Sequence, residues 1–205
     1  MQTLGVQILL GLLGLTVVYL IGAIPIGLLV SRCFRIDIRR HGSGNIGATN
    51  VFRTLGKGPG ILTFLGDVAK GWAGVWLAQH LGTESSWGAA GALLVIVGHC
   101  WSVFLRFQGG KGVATGFGAF LRLAPWAVLP AALVWIAVAA SFRYVSLASV
   151  VAALCLPAGA FLLGYPTPVL VVSMIVALIV IARHKENLTR LFEGTERKVG
   201  SRVSA

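Results

Sequence analysis

The chain has 205 residues, of which 57% are hydrophobic and only 11% charged, against roughly 25% charged in soluble domains. Its formal net charge is +11, from 17 Lys and Arg against 6 Asp and Glu. These values exclude an ordinary soluble domain and point to an all-α integral membrane protein; without an RNA- or DNA-binding motif, the positive charge does not imply a nucleic-acid partner.

The first apolar run covers residues 5–31. It has no basic n-region and is too long for a cleavable signal peptide, and Gly22, Pro25 and Gly27 mark a packed helix. A basic loop over 32–57 follows. At its centre is Gly42-Ser43-Gly44-Asn45-Ile46-Gly47-Ala48-Thr49-Asn50, with Arg53 just beyond. Glycines of this kind can turn backbone N–H groups around an anion, and the next helix N-terminus adds its dipole. The loop predicts a phosphate or carboxylate pocket at a membrane surface.

The second span, 57–82, carries Asp67 and Lys70 on one helical face. Opposite charges at i, i+3 can neutralise each other, or they can serve catalysis or ion coupling; both readings stay open. The third span, 87–105, contains His99, which is equally open. Next comes Phe107-Gln108-Gly109-Gly110-Lys111-Gly112-Val113-Ala114-Thr115, three glycines around a lysine at the start of a short helix. Backbone donors and an ammonium can converge there on one phosphate. It is not a Walker A loop, because Lys111 is followed by Gly112 and no glycine stands five residues before Gly110.

Residues 112–123 decide the topology. A crossing needs roughly 20 residues, and this segment is shorter. Yet 15 of the 17 Lys and Arg lie in four places: the 32–57 loop, the 105–111 loop, Arg143, and the tail from Arg183. If 112–123 crosses, all four share one side, which the positive-inside rule makes the cytoplasm. The prediction is therefore seven transmembrane helices, with the N-terminus outside and the C-terminus cytoplasmic. The fourth is short and packed through its small residues, Gly112, Ala114, Gly116, Gly118 and Ala119. The last spans are 125–141, 146–163 and 166–182, and residues 1–205 form one polytopic domain.

Ser146 and Ser149 share a helical face at the cytoplasmic end of a span. They either bond their own backbone or line a site. In the tail, His184, Asn187 and Leu191 share a face, which sets a titratable ring beside an amide. Cys33, Cys100 and Cys155 show no C-x-x-C spacing and read as ordinary thiols. The four histidines are scattered without a carboxylate cluster, so no metal or other cofactor is expected.

Together, Gly42–Asn50, the Gly-Gly-Lys-Gly-Val-Ala-Thr segment and the His-x-x-Asn-x-x-Arg-Leu tail resemble the three motifs of the bacterial acyl-phosphate:glycerol-3-phosphate acyltransferases, the PlsY family. The likeness covers nearly the whole chain, including Arg143-Tyr-Val-Ser-Leu-Ala-Ser149. It implies a bacterial inner-membrane enzyme with its site facing the cytoplasm. Such an enzyme moves a fatty acyl group from a long-chain acyl phosphate to the sn-1 hydroxyl of glycerol 3-phosphate, giving lysophosphatidic acid and phosphate. That is the first step of phospholipid biosynthesis.

By the same resemblance Ser43 and Arg53 are essential, with Gly42, Gly44, Asn45, Thr49 and Asn50 in the same loop. Gly109, Gly110, Lys111 and Gly112 hold glycerol 3-phosphate. His184 and Asn187 form the third motif, Glu196 is structural, and Ser146 and Ser149 fall in the intervening stretch. The implied partners are membrane lipid and, transiently, the soluble enzyme that forms acyl phosphate. Gln108 and Ser102 depart from the pattern, standing where a basic residue and proline are common.

The chemistry fits this reading. Both substrates carry phosphate, so Arg53 and Lys111 are both wanted, and backbone N–H groups with the Ser43 hydroxyl can stabilise the oxyanion. The serines lack partners at a triad spacing, which favours direct transfer without an acyl-enzyme. A substrate phosphate oxygen, or His184, would accept the hydroxyl proton. No histidine is followed by aspartate five residues later, so the acid/base pair of the larger glycerolipid acyltransferases is absent. That argues for acyl phosphate over acyl-CoA or acyl carrier protein. A transporter for anionic metabolites, built around Asp67 and Lys70, is the rival reading; clustering of the polar groups at the inner surface favours the enzyme.

Overall fold

The structure, a computed structural model, describes residues 4–82 and 84–200, so Arg202, counted with the basic tail, lies outside the described residues. Among these residues the chain forms ten α-helices, two short 3-10 turns and no strand. The helices are α1 (Leu4–Ala23), α2 (Ile26–Cys33), α3 (Ala48–Leu55), α4 (Lys57–Gln79) and α5 (Ser85–Cys100). After them come α6 (Val113–Leu123), α7 (Pro125–Phe142), α8 (Val145–Leu162), α9 (Thr167–Arg183) and α10 (Lys185–Phe192).

Each apolar run read from the sequence becomes helix, but the first is broken. Pro25 has no N–H to donate and its ring obstructs the preceding turn, so α1 and α2 meet at 42°. The carbonyls freed at the break find side-chain donors: Ser102 Oγ donates to Ala23 (2.6 Å) and Lys70 Nζ to Ile24 (2.8 Å). Ser102, one of the two departures from the family pattern, thus has a structural task.

Three segments, Ser85–Leu105, Pro125–Phe142 and Val145–Leu162, are long and apolar enough to cross a membrane. The bent pairs α1–α2 and α9–α10 raise the number to five. The 23 residues of α4 are long enough, but its interior is interrupted by Asp67 and Lys70. With 11 residues, α6 reaches only about 16 Å. The exterior is apolar: Leu12 is 60% exposed, Leu133 67%, Phe161 70% and Leu162 79%. A continuous surface of this kind belongs against lipid tails rather than water, and the chain is an integral membrane protein.

At the centre, α4 packs against α1, α3, α5 and α6. Backbones touch where α4 meets α6: a Cβ at Gly71 would fall on the Thr115 carbonyl oxygen, and one at Gly118 on that of Val68. This small-residue contact ties the start of α6, just after Lys111, to a rigid partner. Val18, Val75, Val95, Ile96 and Phe120 fill the interior around it. A second apolar cluster, Leu28, Ile38, Ile46, Val51 and Leu105, lies beneath the polar 42–50 loop and seats it on α2.

Candidate functional site

The 42–50 loop is organised by one buried amide. Asn50 Oδ1 accepts from the Ser43 N–H (3.0 Å), while its Nδ2 donates to the carbonyls of Asn45 (2.8 Å) and His41 (3.0 Å). Asn45 Oδ1 accepts from the Gly47 N–H (2.8 Å), and the Gly44 N–H donates to the His41 carbonyl. Gly42 and Gly44 have φ of +62° and +70°, a region open to glycine at little cost. The expectation that this loop turns its N–H groups on an anion is therefore corrected for Ser43, Gly44 and Gly47, whose donors close the loop itself. What faces outward is Ser43, exposed and with its hydroxyl unpartnered among the described residues, together with half-buried Thr49 and Arg53. The Arg53 Nη2 donates to the Arg197 carbonyl (3.1 Å).

The second loop departs from expectation in the same way. The N–H groups of Gly109 and Gly110 donate to the carbonyls of Cys100 (3.1 Å) and His99 (3.0 Å), continuing from the end of α5. Their own carbonyls accept from Arg183 Nη2 (2.8 Å) and Nε (3.0 Å), and that guanidinium lies over the Trp101 ring. Gly109 and Gly110 are thus built into the scaffold rather than aimed at a ligand. Gly112, with φ +82°, turns the chain into α6. The first-turn N–H groups of Val113 and Ala114 have no intrahelical acceptor, and Lys111, just before that turn, is half-buried.

Lys111 Nζ donates to Asn187 Oδ1. Asn187 in turn donates to Glu196 Oε1 (2.6 Å), which also accepts from Ser146 Oγ (2.8 Å), while Arg190 Nε donates to Glu196 Oε2 (2.8 Å). Burial opposes ionisation of Glu196, but these three hydrogen bonds outweigh it and hold the carboxyl below its usual range. Burial pushes the Lys111 ammonium down to about 8, with Glu196 pulling the other way. His184, 4% exposed, joins α9 to α10 and faces the Val180 carbonyl through Nδ1 (2.7 Å). In the neutral ring that makes Nδ1 the donor and leaves Nε2 as the acceptor.

The two serines of α8 separate. Ser146 holds Glu196, whereas Ser149 donates to the Val145 carbonyl (2.7 Å) and accepts from the Trp135 indole (3.1 Å). Of the two readings left open for Ser149, the structure shows the bond to its own helix backbone, with the hydroxyl directed into helix packing rather than lining the site. The tail closes the assembly. Val199 exchanges bonds with Arg143 through both backbone and guanidinium, and Lys198 lies over the Tyr144 ring.

The structure therefore brings Arg53, Lys111, Asn187 and Ser146 together through residues 196–199. Sequence reasoning did not find Arg143, Arg183 or Arg190 as site-building residues, because positive-inside topology already accounted for their charge. The available signal was Arg190 inside the third motif. Of the two readings left open for Asp67 and Lys70, the structure shows an ion pair of 2.9 Å.

A family model described as glycerol-3-phosphate acyltransferase matches residues 12–194. A glycerol-3-phosphate acyltransferase of Rubrobacter xylanophilus is 47% identical over 196 residues, 96% of each chain. That of Geobacter sulfurreducens is 48% identical over 184 residues, covering 89% of this chain and 94% of the relative. The fold matches the crystal structure of PlsY (YgiH), an integral membrane glycerol 3-phosphate acyltransferase, in its glycerol 3-phosphate form. The TM-score is 0.88 at 38% identity, covering 93% of this chain and 96% of that one. The lysophosphatidic acid form of PlsY matches with a TM-score of 0.86 at 37% identity, covering 93% and 95%.

Proposed function

The chain belongs to the glycerol-3-phosphate acyltransferase family, and on that premise we propose that this acyltransferase moves a long-chain acyl group from acyl phosphate to the sn-1 hydroxyl of glycerol 3-phosphate. The hydroxyl oxygen bonds to the acyl carbonyl carbon, the carbon–oxygen bond to phosphate breaks, and the hydroxyl proton passes to a phosphate oxygen. The products are lysophosphatidic acid and inorganic phosphate. His184 Nε2 is the alternative proton acceptor. The observation that carries this reading is the continuous chain from Lys111 through Asn187 to Glu196, joined by Arg53 at Arg197. It gathers two cations along one stretch of the tail, as a reaction between two phosphate-bearing substrates requires.

Lys111 meets the phosphate of glycerol 3-phosphate. Arg53 neutralises the donor phosphate as it leaves, and Ser43 donates to the oxyanion. Asn187, oriented by Glu196, aims Lys111. Asn45 and Asn50 keep the first loop in shape, Thr49 lines it, and Gly42 and Gly44 supply its turns. Gly109, Gly110 and Gly112 carry Lys111, Ser146 fixes Glu196, and Ser149 packs behind it.

The same contacts support one domain with seven crossings, the N-terminus outside and the C-terminus cytoplasmic. Arg53 with Arg197, Arg143 with Val199, and Lys111 with Asn187 join all four basic regions on one side. The site then opens to the cytoplasm from the inner membrane, within reach of the soluble enzyme that forms acyl phosphate.

Substitution separates the two loops. Lys111→Ala should raise KM for glycerol 3-phosphate, whereas Ser43→Ala should mainly lower kcat; the reverse pattern would exchange their roles. A covalent acyl adduct on Ser43 or on any cysteine would sink direct transfer.

A further inference from the structure

Three buried polar side chains take no part in the site as described: Asp67 and Lys70 on α4, and His99 on α5. None is more than 5% exposed. Lys70 Nζ lies 2.9 Å from Asp67 Oδ1, and the same oxygen is 3.5 Å from His99 Nδ1. The Lys70 ammonium also donates to the Ile24 carbonyl at the break between α1 and α2. Paired in this way the two charges cancel, whereas removing one alone would strand the other away from water.

The cluster leads to the Gly109–Lys111 loop. The His99 carbonyl accepts the Gly110 N–H (3.0 Å), and a Cβ at Gly110 would land on His99 Nε2. The imidazole therefore lies directly against Gly110, with Asp67 on its other side. Two consecutive glycines have more conformational freedom than any other dipeptide, so their placement must come from neighbours. Here the end of α5 holds the N–H groups, Arg183 holds the carbonyls, and the His99 ring supports Gly110 from below. Lys111 is the next residue.

We infer that Asp67, Lys70 and His99 form a buried positioning network for the Lys111 loop. Lys70 anchors Asp67 to the broken first span, Asp67 backs the His99 ring by charge at 3.5 Å rather than by a hydrogen bond, and His99 sets Gly110 and with it the reach of Lys111 toward the phosphate of glycerol 3-phosphate. The inference rests on the role proposed for Lys111. None of the three touches substrate.

The test is a double-mutant cycle on purified enzyme with H99A, K111A and H99A/K111A, reading KM for each substrate, kcat and Tm. H99A should raise KM for glycerol 3-phosphate about tenfold, since misplacement by an ångström costs up to about a hundredfold, with KM for acyl phosphate unchanged. H99Q, which keeps a polar group within reach of Asp67, should restore most of the loss. The double variant should be no worse for glycerol 3-phosphate than K111A alone, because His99 acts through Lys111. Losses that multiply, or that fall equally on both substrates, would make His99 an independent structural residue and overturn the network. An unchanged KM in K111A would overturn the Lys111 reading itself, and the network with it. Should H99A not be recovered folded, the neutral replacement D67N/K70M takes its place in the same cycle with the same expectations.

Discussion

Lys111 and Glu196 show at the residue scale how this site handles charge. Burial takes the Lys111 ammonium from its ordinary 10.5 down to about 8. Below pH 8 the group is charged and ready for phosphate; above it, binding must first restore the proton. KM for glycerol 3-phosphate should therefore rise about tenfold per unit once the pH exceeds 8, and K111A should abolish that rise. The second ionisation of a phosphate monoester, at about 6, lies outside this window. Glu196 runs the other way. Its folded carboxyl is held below 4.5, so its stabilisation is present above that value and is lost as the pH falls through the lowered one. E196Q replaces an acceptor of three bonds and should cost about 1–3 kcal/mol, read as a lower Tm. It should also lower kcat through a misaimed Asn187.

At the element scale the decisive contact is α4 against α6. Gly118→Leu would drive a side chain into the Val68 carbonyl and should cost about 1–3 kcal/mol by overpacking. Because α6 begins beside Lys111, KM for glycerol 3-phosphate should rise in the same variant, whereas a change in Tm alone would detach the helix contact from the site. Hydrophobic run lengths made the helices legible in the sequence, and Pro25 flagged the packed first segment. What donates to the carbonyls freed at the break was not legible, because Ser102 and Lys70 are remote in sequence from Ala23 and Ile24. The glycine loops were legible as loops with φ-permissive turns. The use of their N–H groups was not, because the acceptors belong to Asn50, to His41 and to the end of α5, and only the folded chain shows which donors remain. For Ser149 the choice between its two readings was not legible for a similar reason: helical spacing sets it beside Ser146, but only the fold shows its hydroxyl taken by Val145 and Trp135.

At the scale of the whole molecule, sequence-distant basic regions converge on one face. Positive charge, with residues 112–123 taken as a crossing, led to the expectation of a common side; the tail contacts that join these regions were not legible, since Val199 and the Arg197 carbonyl carry no sequence signal. Single cysteines placed in a cysteine-free background test the orientation. An impermeant thiol reagent should label positions 57 and 193 only in inside-out vesicles and position 84 only in right-side-out ones. The account as a whole turns on the donor. Purified protein in detergent, given glycerol 3-phosphate with palmitoyl phosphate or separately with palmitoyl-CoA, should form lysophosphatidic acid and release phosphate from the first mixture only. Product from the CoA ester alone would contradict acyl phosphate as the donor.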